Sequence, residues 1–95
     1  MKFNETYKTA CVSTQHMQLN DVRELKVMCD EQMAMVAERE TGFFLKLFED
    51  VSENHYPKLS TELSALIKEA AEQGFRCIEF DCDAESVDGA KEFDW

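Results

Sequence analysis

The chain predicts an α+β fold of the ferredoxin-like, split βαβ kind, with two helices on one face of a mostly antiparallel four-stranded sheet. Three observations predict it. Four short stretches alternate apolar and polar residues, the mark of a half-buried strand, and two longer ones repeat apolar residues at helical spacing. These stretches follow one another as strand, helix, strand, strand, helix, strand. Finally, 95 residues that are 44% hydrophobic and 32% charged, with three Gly and one Pro, make a globular composition with no break to divide it. Residues 1–95 are therefore expected to form one compact domain, with residues 84–95 as an acidic C-terminal segment.

The first strand is read at Lys8 to Ser13, where β-branched residues and alternation outweigh any helical period, and Ser13-Thr14-Gln15-His16 turns out of it. Asn20 is a suitable N-cap for a helix starting at Asp21, with Asp21 and Glu24 near the positive end of its dipole. Val22, Leu25, Met28, Cys29 and Met33 give that helix one apolar stripe, ending near Gln32. Thr41-Gly42 is a turn signal between two strands, Met35 to Glu40 and Phe43 to Phe48. In the second of these, Phe43, Leu45 and Leu47 share one face, and Phe44, Lys46 and Phe48 the other.

Glu49 to Lys58 is a polar connection holding Asn54, His55 and the only proline, Pro57. Ser60 caps a second helix, Leu63, Leu66, Ile67 and Ala70 carry its apolar period, and Gly74 closes it as a residue able to take positive φ. The last strand, Arg76 to Asp83, sends Ile78, Phe80 and Cys82 to the core and Cys77, Glu79, Asp81 and Asp83 to the other face. Beyond it the reading is an acidic turn around Asp88-Gly89 and a short final strand ending at Phe93.

The formal net charge of −10 excludes nucleic acid as a direct ligand, because such binding relies on Lys and Arg displacing counterions, and disfavours anionic membrane surfaces. It favours basic protein surfaces instead. From Glu79 onward seven acids stand against Lys91 alone, so seven minus one leaves −6 before the terminal carboxylate. No apolar run reaches the ~20 residues of a membrane span, and Met1 to Glu5 lacks the apolar core of an export signal. A cytoplasmic location is expected, with Cys11, Cys29, Cys77 and Cys82 as reduced thiols.

Several chemistries can be weighed on residue types. Gly42 to Phe48 loosely resembles the glycine-aromatic strand of RNA-recognition modules, but Glu40 and the negative balance oppose it. Cys77 and Cys82 point to opposite faces of one strand and cannot close on one ion, so neither a metal nor a cofactor is expected. Cys11 with His16 could form a nucleophile and base, yet no oxyanion donors or orienting third group accompany them. His16 reads better as a turn residue hydrogen-bonded to backbone. The carboxylates of Glu79, Asp81 and Asp83 would repeat at about 7 Å, close to the phosphate spacing of a nucleic-acid strand.

The chain is similar to an uncharacterised family of small bacterial proteins, a domain of unknown function met on plasmids, prophages and other mobile elements. The matching features are Ser13-Thr14-Gln15-His16 after the first strand, the hairpin Glu40-Thr41-Gly42-Phe43-Phe44, Leu59-Ser60 opening the helix with Leu63, Leu66, Ile67 and Ala70, and the terminal Phe93-Asp94-Trp95. The resemblance spans nearly the full length. It implies a compact α+β domain in an accessory gene context, and carries no catalytic site to transfer.

These readings converge on a non-enzymatic interaction module that sets a rigid acidic face against a basic protein surface, in concrete form a mobile-element inhibitor of a host defence complex, of anti-restriction or anti-CRISPR type, acting by partial nucleic-acid mimicry. Its partner-binding residues would be Glu79, Asp81, Asp83, Glu85, Asp88, Glu92 and Asp94, with Phe93 and Trp95 as anchors. The alternative is a small regulatory or ligand-sensing domain, a homodimer through Phe44 and Phe48, whose acidity serves only solubility.

Overall fold

The computed structural model describes residues 1–31, 35–48, 54 and 56–93. Its elements are β1 (Thr9–Ser13), a 3₁₀ turn (Thr14–His16), α1 (Leu19–Asp30), β2 (Val36–Arg39), β3 (Gly42–Lys46), α2 (Thr61–Glu72) and β4 (Cys77–Asp81). The sheet runs β1-β4-β3-β2, with β1 parallel to β4 and the other two pairs antiparallel. This βαββαβ order, with a mixed four-stranded sheet and two helices, is consistent with a ferredoxin-like α+β fold. Within that class the strand order has a consequence: β4 sits between β1 and β3, so α2 joins antiparallel neighbours and β1 is left at an edge.

The two-residue period of the strands sorts the side chains. Val12, Phe43, Leu45, Ile78 and Phe80 are buried on one face, where they meet Leu25 of α1 and Leu63 and Ala70 of α2. Each large apolar side chain so buried contributes roughly 1.5–3 kcal/mol. The registers place Cys11 beside Glu79, Glu79 beside Phe44, and Phe44 beside Ala37 on the opposite, helix-free face.

Local chemistry moves several expected boundaries. Helix α1 begins at Leu19 behind Gln18, with Asn20 already inside it, because the carboxylate of Asp21 accepts the Gln18 N–H at 3.0 Å and replaces Asn20 as the capping group. It ends at Asp30, and Met33 is outside the described residues. The hairpin strands are shorter than expected, and Gly42 opens β3 instead of sitting in the turn. Glycine is required there because a Cβ would strike the Phe80 carbonyl of β4. Strand β4 stops at Asp81, so Cys82 is exposed in a turn and does not point inward. Residues 84–93 form turns and contain no strand. The second helix follows the expectation: Ser60 Oγ accepts the Leu63 N–H at 3.3 Å, and Gly74, at φ 93°, follows its last turn.

Asp21 does more than cap its own helix. Fully buried, it accepts the Ser60 N–H at 2.6 Å on Oδ1 and the Ser60 hydroxyl at 2.7 Å on Oδ2. One carboxylate thus satisfies donors at the starts of both helices, where the helix dipoles favour negative charge. Tyr56, also buried, donates its hydroxyl to the Lys46 carbonyl at 2.7 Å, tying the connection before α2 to the end of β3.

Two predictions come from these contacts. Asp21→Ala strands three donors and should lower unfolding free energy by about 3 kcal/mol or more in urea titration; a loss within about 0.5 kcal/mol would show that the carboxylate does not hold the helices together. Burial pushes the Tyr56 phenol up from 10.0 to about 12. The folded state therefore holds its proton where the unfolded chain has lost it, and stability should fall as pH rises from about 10 to about 12. Tyr56→Phe should flatten that decline in denaturation curves taken across the window.

Candidate functional site: a clasped acidic segment

The acidic segment is held by the turn that follows β1. Ser13 Oγ accepts the Gln15 N–H at 3.1 Å, and the short 3₁₀ turn carries His16 inward, leaving it 2% exposed. Its Nδ1 lies 2.9 Å from the Lys91 carbonyl, and its Nε2 accepts the Val87 N–H at 2.9 Å. A carbonyl can only accept, so Nδ1 carries the proton and Nε2 offers the lone pair. Two main-chain bonds flank this clasp: Ser13 N–H to the Glu85 carbonyl at 3.1 Å, and Phe93 N–H to the Gln15 carbonyl at 2.7 Å. Between the two His16 contacts the chain reverses through Gly89 at φ 86°, a conformation that L side chains rarely adopt.

The segment is therefore pinned at His16 and by main-chain bonds that include the Phe93 N–H. The expected anchors were Phe93 and Trp95. Phe93 is half-buried with the Lys91 ammonium 5.3 Å from its ring centroid, while Asp94 and Trp95 are outside the described residues. His16 was legible as a backbone-bonded turn residue. Its partners were not, because Lys91 is 75 residues away and contributes only a carbonyl, which every residue possesses.

The carboxylates divide into two groups. Glu79, on the helix-free face of β4, is drawn into the sheet: Arg39 Nη1 lies 3.3 Å from one oxygen, and the Cys11 thiol donates to the other at 3.7 Å. Asp81 accepts the Asp83 N–H at 2.8 Å, folding the chain into the turn that leads to the tail. The row of three strand carboxylates at even spacing thus ends at Asp81. Asp83, Glu85, Asp88 and Glu92 are exposed, and Glu92 accepts from the Ser86 hydroxyl.

The ligand atoms of Asp81, Cys82 and Asp83 lie within 4.8 Å of one another. They would offer a hard cation two carboxylates and a thiol on one exposed turn, far short of the about six to eight oxygens that calcium takes. Nor do Cys11 and His16 pair, since both imidazole nitrogens are spent on backbone and the thiol faces Glu79. Burial first, and then the Glu79 charge, pushes the Cys11 thiol up, which disfavours the nucleophilic thiolate. The two aromatics expected on one surface are separated. Phe44 stays half-buried on the helix-free face, whereas Phe48 packs against the core, with its ring centroid 6.4 Å from that of Tyr56.

Removing the clasp tests it. His16→Ala removes both imidazole hydrogen bonds, to the Lys91 carbonyl and from the Val87 N–H, and should cost about 1–3 kcal/mol. Amide exchange at Val87 and Phe93 should accelerate well beyond the global change, and unaltered protection there would show that the segment is held by something else.

Among the described residues no helix is long and apolar enough to cross a membrane. No curated protein and no solved structure matches the chain. Residues 9–95, from the first residue of β1 through the clasped tail, match a family profile described as "Family of unknown function (DUF5983) C-terminal domain", and the chain belongs to that family.

Proposed function

We propose that this domain is a non-enzymatic protein-interaction module acting in the cytoplasm, and that its clasped acidic segment occupies a basic surface on a partner protein. The observation that carries this reading is the buried His16 clasp, which fixes acidic residues on a chain segment that has no strand or helix of its own. Over residues 79–93 six acids stand against Lys91, giving −5, and Glu79 alone of the six is engaged by a cation among the described residues. Asp81, Asp83, Glu85, Asp88 and Glu92 remain to meet a partner. Fixed charges bind a complementary surface with less loss of chain entropy than a free acidic tail would suffer.

The concrete form of the proposal is an inhibitor of a host defence or nucleic-acid-handling complex, of anti-restriction or anti-CRISPR type, in which these carboxylates stand in for phosphates. Two things support it: the sign and density of the charge, and the resemblance to bacterial mobile-element proteins. A second reading rests on Phe44, which lies on a sheet face that neither helix covers, and makes that face a homodimer contact with the acidity serving solubility.

The test is capture of partners from bacterial lysate at low and high salt, with mass spectrometry as the readout and Asp81→Lys/Asp83→Lys as the comparison. A nuclease, helicase or defence subunit should be retained at low salt and released at high salt. The double reversal should slow its association about tenfold or more at low salt and little at high salt. Retention that ignores both salt and charge reversal would overturn the acidic-face reading, and a Phe44-dependent dimer with no retained partner would favour the second.

A further inference from the structure

Beside the acidic segment, the free edge of β1 opens onto an apolar groove. Strand β1 uses alternate main-chain groups for β4: the Lys8 carbonyl accepts from Cys77, on the β4 side, whereas the Ser13 N–H points outward to the Glu85 carbonyl. By the two-residue period, the main-chain groups of Thr9 and Cys11 also point outward. No main-chain group among the described residues meets them there. Among the described residues, the main chain of the tail meets that of this edge at Ser13 and, beyond it, Gln15.

Alongside this open stretch, α2, β1 and residues 87–91 enclose about 850 Å³, within the range of specific binding sites. Val12, Leu66, Ala70 and Phe75 contribute its apolar surface. Among the described residues, Glu62, Glu69 and Asp88 stand on its walls against one lysine, Lys91, whose ammonium is directed at the Phe93 ring. Neither Glu62 nor Glu69 is paired with a cation among the described residues; each only accepts from a glutamine side chain.

We infer that this groove takes an extended segment of a partner protein, added to the sheet along β1, with apolar residues facing the groove and Lys or Arg between or beside them. Open edge donors and acceptors supply main-chain hydrogen bonds, the groove takes every second side chain, and the acidic walls select the basic residues. This occupant differs from the basic folded surface proposed for the acidic segment. It uses α2 and the edge of β1, which that reading leaves idle.

The experiment is an NMR titration of the ¹⁵N-labelled full chain with three capped heptapeptides: one alternating Lys and Val, one alternating Glu and Val, and the Lys-Val peptide with alternate backbone nitrogens methylated. The first should give saturable shifts concentrated at residues 9–12, 65–73 and 87–90, with slowed exchange of the Cys11 amide. The other two should bind at least about tenfold more weakly. Ala65→Trp, which fills the groove from an exposed helix position, and Glu69→Lys should each weaken the first peptide by a similar factor. Asp81→Lys/Asp83→Lys should leave it within about twofold. The inference is overturned if the Lys-Val peptide gives no saturable shifts, if the Glu-Val or methylated peptide binds as well, or if Ala65→Trp has no effect. Shifts confined to residues 81–93 would overturn it too, while leaving the acidic-segment reading intact.

Discussion

The carboxylate of Asp21 is the contact on which the layered arrangement depends. Each helix start exposes amide donors that its own hydrogen bonds cannot satisfy. Here the donors of Gln18 and Ser60 converge on one buried carboxylate, so the N-cap residues of two helices far apart in sequence share a single acceptor. Their starting points are thereby set relative to each other, and Leu25 and Leu63 descend from them onto the same sheet face. The hydrophobic contacts below supply most of the free energy, but they are nondirectional. The hydrogen-bonded carboxylate supplies the direction.

The sheet carries a second constraint. With β4 taking the interior place beside β3, its carbonyls pass so close to Gly42 that no side chain is tolerated there, and β1 is displaced to the edge. An edge strand has unsatisfied main-chain groups, and this chain covers part of the edge with its own C-terminal segment. The Ser13 and Gln15 main chains and the His16 ring do this jointly. Acidic residues carried along that segment are consequently held on the scaffold, which turns a compositional property into a surface with a definite shape.

The polar side chains of the helix-free face show why residue types alone mislead about chemistry. Cys11 and Glu79 are neighbours across the parallel β1–β4 pair, and the carboxylate that could have served a partner is instead shared between a thiol and Arg39. The same neighbour raises the thiol's pKa and so opposes its use as a nucleophile. Thiol and imidazole, five positions apart in sequence, end up serving different surfaces.

Much of the fold is legible without coordinates because it rests on periodicity and local chemistry. The alternation in Phe43 to Leu45 and Ile78 to Phe80, the Ser60 cap and the Gly74 stop are local signals, and each element lies where they place it. The acidity of the last stretch is equally plain. What the tertiary structure decided is everything that depends on main-chain partners or on residues distant in sequence. Asp21 displaced Asn20 as the capping group because Ser60 arrives to share it. Gly42 is glycine because β4 crosses beside it. His16 reaches the carbonyl of Lys91 and the amide of Val87, groups with no side-chain signature. The strand order, too, is invisible to periodicity, since an alternating strand can bury the same face at an edge or in the middle. Local sequence determined which segments become strands and helices and which faces they bury; packing alone determined which neighbours they acquired, and with them the clasp that gives the acidic segment its form.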